Sequence, residues 1–89
     1  MIERQVTIIN KLGLHARAAA KFVSLASQFK SDVELVNDHQ RVNGKSIMGV
    51  MMLAAARGTA LTMCVNGADE QVAADQLEAL IADRFGESE

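Results

Sequence analysis

The chain contains no proline, tryptophan or tyrosine, and its small aromatic share, 3%, is phenylalanine alone. Platforms that stack nucleobases need exposed aromatic rings, so this composition argues against a single-stranded nucleic-acid binder. A formal net charge of −2 argues the same way for any nucleic acid, because gripping a phosphate backbone takes a basic field. The single cysteine, Cys64, excludes an internal disulfide, and no Cys/His cluster has the spacing of a zinc site. Cys64 falls in an apolar, strand-like segment and is expected to fill the core. The longest apolar run, from Ile47 to Ala56, is half of the roughly 20 residues that cross a bilayer, so no membrane insertion is expected. Met1-Ile2-Glu3-Arg4 lacks the charged and then apolar stretches of a secretory signal, which suits a cytoplasmic setting.

What is present reads as one compact domain spanning 1–89. The 49% hydrophobic content with 22% charge is that of a folded chain. A domain this small removes only about 60–65% of its unfolded surface from water, so its core must be efficient. Val6 and Ile8 alternate with Gln5, Thr7 and Ile9 as an opening strand. From Ala16 to Phe29 the period turns helical, with Ala18 or Ala19, Phe22, Leu25, Ala26 and Phe29 on one stripe and Arg17, Lys21, Ser24 and Gln28 opposite. Val33 and Leu35 mark a second strand, and Gln40-Arg41-Val42 returns after the Asn37-Asp38 turn as a third. Ser46 has the side chain to cap a helix running from Ile47 to Ala56 and stopped by Gly58, with Arg57 near its C-terminal end. Leu61, Met63 and Val65 alternate with Thr62 and Cys64 as a fourth strand. A last helix follows, with Asp69 and Glu70 at its positive end and Val72, Ala73, Leu77, Leu80, Ile81 and Phe85 as its buried stripe. The order β-α-β-β-α-β-α, with three helices on one face of a mainly antiparallel four-stranded sheet, is an α+β open-faced sandwich.

The chemically informative stretch is Gly13-Leu14-His15-Ala16-Arg17-Ala18-Ala19-Ala20-Lys21. It places a histidine where a glycine-containing loop meets a helix. The first four N–H groups of a helix lack intrahelical partners, and that end carries about half a positive charge. The field favours the uncharged imidazole over the imidazolium by about 0.3–1 kcal/mol when exposed, and up to about 2 when partly buried. His15 is therefore expected to be mostly neutral at neutral pH, and so nucleophilic. A phosphoryl group on its ring would meet free amides and the dipole, and Arg17 adds a fork of hydrogen bonds suited to phosphate oxygens. Ala16, Ala18, Ala19 and Ala20 keep bulk away, so another protein can approach closely. No metal motif, glycine-rich nucleotide loop or second acid/base accompanies the histidine, which makes this a poor complete active site and a good way-station. His39, in a turn beside Asp38, reads as solvated.

Asn10-Lys11-Leu12-Gly13-Leu14-His15-Ala16-Arg17 resembles the phosphohistidine signature of the HPr family, phosphocarriers of the phosphoenolpyruvate phosphotransferase system. Asn43-Gly44-Lys45-Ser46-Ile47-Met48-Gly49-Val50-Met51 resembles its second signature, around a regulatory serine. The two lie at the family's separation, and the resemblance spans essentially the whole chain. It implies that His15 takes phosphate on Nδ1 from phosphorylated enzyme I and hands it to a IIA-type protein, while Arg17 steadies the phosphoryl group. It implies no cofactor, no metal, no stand-alone enzyme activity and a monomer. Many family members have proline where this chain has Ala18, a departure that a first helical turn tolerates. The Asn10-Lys11-Leu12 lead-in and the alanine run look more like the nitrogen-related branch, often called NPr.

Two further expectations concern the second helix. Ile47, Met48, Val50, Met51, Met52 and Leu53 leave it almost no polar side, so either all are core or some form a docking patch. The resemblance points to a patch of Ile47, Met48 and Met51, with Ala20 beside it. It also marks Ser46 as a site for an HPr kinase/phosphorylase, beyond its value as a cap of about 1 kcal/mol. A rival from another class is a ferredoxin-like regulatory domain that binds a small ligand, which shares the element order but leaves the pairing of His15 with Arg17 unexplained.

Overall fold

The computed structural model describes residues 1–89. The elements are β1 (Ile2–Thr7), α1 (Ala16–Ala26), β2 (Asp32–Asn37), β3 (Gln40–Asn43), α2 (Ile47–Met52), β4 (Ala60–Asn66) and α3 (Glu70–Ala82), with a 3-10 turn at Arg84–Gly86. All strand pairs are antiparallel, in the order β1-β4-β2-β3. Registers such as Val6↔Leu61 and Leu35↔Met63 put apolar residues of neighbouring strands on one face. The core cluster joins that face to Ala18, Ala19, Phe22, Val23 and Ala26 of α1, Val50 of α2, and Ala73, Ala74, Leu77 and Ile81 of α3. Arg4 shares the inner parity of β1, yet its guanidinium emerges beside α3 and pairs with Asp75 at 2.6 Å and Glu78 at 2.9 Å. The outer face is polar, with Gln5 bonded to Thr62 and Arg41 to Glu34.

Several boundaries differ from the sequence reading. α1 ends at Ala26 rather than Phe29, because Gln28 and Phe29 donate to carbonyls only three residues back and tighten the last turn. α2 ends at Met52 rather than Ala56. Ala54 takes φ +49°, and the Ala55 carbonyl is engaged by Leu14 N–H at 2.9 Å instead of by a helical amide. Arg57 consequently lies beyond α2 and not at its end. Val72 is exposed, and Phe85 is fully buried but sits in the 3-10 turn, not on α3. Cys64 is buried on the outer face of the sheet, its thiol 4.0 Å from Glu3, outside the core cluster.

Asp69 stands at the N-cap of α3, the positive end expected for it, but its side chain makes no capping bond. Its carboxylate instead accepts from Lys30 N–H, Ser31 N–H and the buried Ser31 hydroxyl, tying α3 to the start of β2. Those bonds, the Ser31 hydroxyl first, hold its pKa down at about 2 against an ordinary 3.8. A depressed carboxyl adds stability above its unfolded value, and that stability is lost as pH falls through its folded value. We therefore expect Asp69→Asn to lower the thermal midpoint at neutral pH. The variant should also lose less stability than the parent as pH falls from about 4 to about 2, measured by melts across that window.

Candidate functional site

The loop before α1 is built around Gly13, whose φ of +68° suits a residue without a side chain. Leu14 N–H bonds to Ala55 O, and the buried Asn10 amide bonds to Gly13 O at 2.8 Å. This clamp delivers His15 to the N-cap of α1 in an extended conformation, φ −71° and ψ 177°. No side chain caps the helix and no acidic residue stands in its first turn. The amides of Ala16, Arg17 and Ala18 thus have no side-chain partner. Ala18, where many relatives have proline, is the third helical residue and fully buried.

The sequence reading missed Glu87. Its Oε2 lies 2.5 Å from His15 Nε2, while its Oε1 accepts from the Asn10 amide at 3.0 Å. The Asn10 hydrogen bond, and then that of His15, hold the Glu87 carboxyl below the usual range. The sequence reading weighed only the helix end at this ring, and Glu87 adds a carboxylate within hydrogen-bond reach of its Nε2. Glu87 is brought there by the turn at Arg84, Phe85 and Gly86, three successive residues at φ +56°, +55° and +78°. Burial of Phe85 and a 2.7 Å bond from Lys21 Nζ to the Phe85 carbonyl hold that turn.

An open cleft of about 660 Å³ is lined by Lys11, Leu12, His15, Ala16, Arg17 and the segment 87–89. Arg17 is exposed at its wall and forms no ion pair, so its fork of donors is free for phosphate oxygens. Lys11, Arg57 and Arg84 line an adjoining depression with Ser88 and Glu89, so basic side chains face the acidic 87–89 segment around the site. Lys11 also bonds through its N–H to the Glu89 carbonyl.

Ser46 caps α2 as the sequence indicated, its hydroxyl accepting from Gly49 N–H at 3.1 Å. Val50 and Leu53 turn inward, whereas Ile47, Met48, Met51 and Met52 are exposed, Met48 by 75%. Leu12, exposed by 67%, is a further apolar residue that the sequence reading did not single out. α1 and α2 pack against each other, and Ala20 is half-buried on α1. His39 lies exposed in the β2–β3 turn, apart from this constellation.

One histidine at an uncapped helix end, flanked by a free arginine and bare apolar side chains, is an arrangement suited to a carrier of a transferable anionic group. A family model described as the PTS HPr component phosphorylation site matches residues 2–83. The chain is 57% identical to the phosphocarrier protein HPr of Cupriavidus necator and 56% identical to that of Neisseria meningitidis, over 100% of this chain and of each relative. A solved structure of HPr from Thermoanaerobacter tengcongensis superposes with a TM-score of 0.96 at 44% identity, covering 100% of both chains. The chain belongs to the HPr family of phosphotransferase-system phosphocarriers. Membership sets aside the alternative of a ligand-binding regulatory domain. No helix is long and apolar enough to cross a membrane.

Proposed function

We propose that His15 accepts a phosphoryl group on Nδ1 from phosphorylated enzyme I and passes it to a IIA-type protein, with the chain acting as a cytoplasmic monomer. The observation that carries this reading is His15 at the uncapped N-terminus of α1 with Arg17 free beside it. Amides of the first turn and the Arg17 guanidinium supply donors to the phosphoryl oxygens, and the small residues behind them admit a partner's phosphorylated side chain. Ile47, Met48 and Met51, with Ala20 on the neighbouring helix, form the docking surface, where flexible thioethers fit partners of different shape. The nitrogen-related branch rests on Asn10-Lys11-Leu12 and the alanine run alone.

Ser46 is a regulatory site for an HPr kinase/phosphorylase in this reading. A phosphate there adds about −1.5 to −2 charges beside the docking patch and repels an acidic partner face. Incubation with enzyme I and phosphoenolpyruvate, followed by intact mass spectrometry, should show one acid-labile phosphate. That phosphate should be absent from His15→Ala, and unchanged uptake by that variant would remove the proposal. In the same assay Ser46→Asp and polar replacements of Ile47, Met48 and Met51 should slow uptake while leaving the fold intact.

A further inference from the structure

Glu87 lies outside residues 2–83, the span matched by the family model, yet it is the carboxylate bonded to His15. We infer that Glu87 is a positioning residue whose carboxylate fixes the proton of His15 on Nε2 and thereby leaves the lone pair on Nδ1. The inference rests on the reading of His15 as the phosphoryl acceptor and extends it to the group that arms the ring.

An ionised carboxylate only accepts, so across the 2.5 Å contact Nε2 must be the donor. A neutral imidazole carries a single N–H, and the hydrogen bond at one nitrogen decides which tautomer is present. Glu87 is itself fixed. Asn10 Nδ2 donates to Glu87 Oε1 at 3.0 Å and to Gly13 O at 2.8 Å. Two acceptors on the same side determine the orientation of that fully buried amide, because the opposite orientation would set its oxygen against two others. Asn10, Glu87 and His15 thus form a relay in which each partner orients the next.

In the transfer step the Nδ1 lone pair attacks the phosphorus of a phosphorylated donor protein. The N–P bond forms as the bond from phosphorus to the donor breaks, and that electron pair returns to the donor. No proton moves. The ring keeps its Nε2–H and gains one positive charge, which the Glu87 carboxylate faces directly. On delivery to the acceptor the N–P electron pair returns to Nδ1 and the ring is neutral again. A carboxylate at this position both selects the tautomer and stabilises charge that develops in the reaction, the role an aspartate plays behind the histidine of a serine-protease triad.

The test is Glu87→Gln. Asn10 accepts nothing at Nδ2, so it will hold the glutamine carbonyl and leave the glutamine NH₂ facing His15. An NH₂ donates, which forces the imidazole proton onto Nδ1 and blocks the nucleophile. We expect ¹⁵N chemical shifts of unphosphorylated protein to show the Nε2–H tautomer in the parent and the Nδ1–H tautomer in Glu87→Gln. With enzyme I as donor, kcat for uptake should fall by up to about 10⁴-fold, the loss when the triad aspartate becomes an amide and its histidine takes the wrong tautomer, while KM is unchanged. Glu87→Ala removes the constraint without imposing the opposite tautomer and should lose less. An unchanged tautomer, or an unchanged kcat, in Glu87→Gln overturns the inference. Should the parent take up no phosphate, the phosphocarrier reading fails, and the tautomer comparison still decides whether Glu87 sets the proton.

Discussion

Replacing Phe85 with alanine is expected to lower the unfolding free energy by about 3–5 kcal/mol, the range for truncating a fully buried aromatic side chain. Phe85 has no exposed surface and belongs to the same cluster as Phe22, Leu77 and Ile81. It also holds a backbone conformation that L residues seldom adopt, at φ +55°. Burial of the ring compensates for that conformation, so its loss removes the reason for the turn as well as the contacts. In a domain of this size each 1 kcal/mol is worth about 4–8 °C, and the thermal midpoint should fall by more than about 10 °C. The site should feel the change below the melting transition. Without the anchor, Glu87 leaves His15, and the ring resonances of His15 should move toward those of Glu87→Ala while α1 and the sheet remain folded. Retention of the parental midpoint would show that the turn is held by something other than the ring.

Gly13→Ala should be the second most damaging change, at about 2–5 kcal/mol. Part of this is left-handed strain at φ +68°, about 1–2 kcal/mol, and the rest is overpacking of about 1–3. An added Cβ would collide with Ala55 O and lie 2.9 Å from Ala56 Cα. Both are backbone atoms that cannot rotate aside, so the loop has to shift. The shift breaks the bond from Leu14 N–H to Ala55 O, which places His15 at the head of α1. Denaturant melts should report the lost stability, and phosphate uptake by the folded fraction should fall as well. A variant of normal stability and normal uptake would mean that the loop has slack that the geometry denies.

Local pattern carried most of the fold. The alternation of β4 and the helical stripe of α1 follow from periods of two and 3.6, and Ser46 announces its helix through its hydroxyl. The parity of β4 even held the correction for Cys64, since it shares a face with Thr62 rather than with Met63 and Val65. The end of α2 was illegible because an alanine run prefers a helix, while a tertiary hydrogen bond to Leu14 claims the Ala55 carbonyl. The strand order β1-β4-β2-β3 depends on how long connections cross, which no local period records. His15 and Arg17 were visible because loop, helix start and charge are adjacent in sequence. Glu87 was not, because Gly86-Glu87-Ser88-Glu89 has the composition of a solvated terminus and the carboxylate meets its histidine only after the core has formed.

That meeting joins residues 72 positions apart, with every element from α1 to α3 between them. A half-made or partly melted chain would own the imidazole but not the acid that arms it. With Glu87 in the role inferred for it, competence to receive cargo is tied to completion of the tertiary structure. Fraying of the short turn behind Glu87 would disarm the carrier reversibly, long before the sheet comes apart.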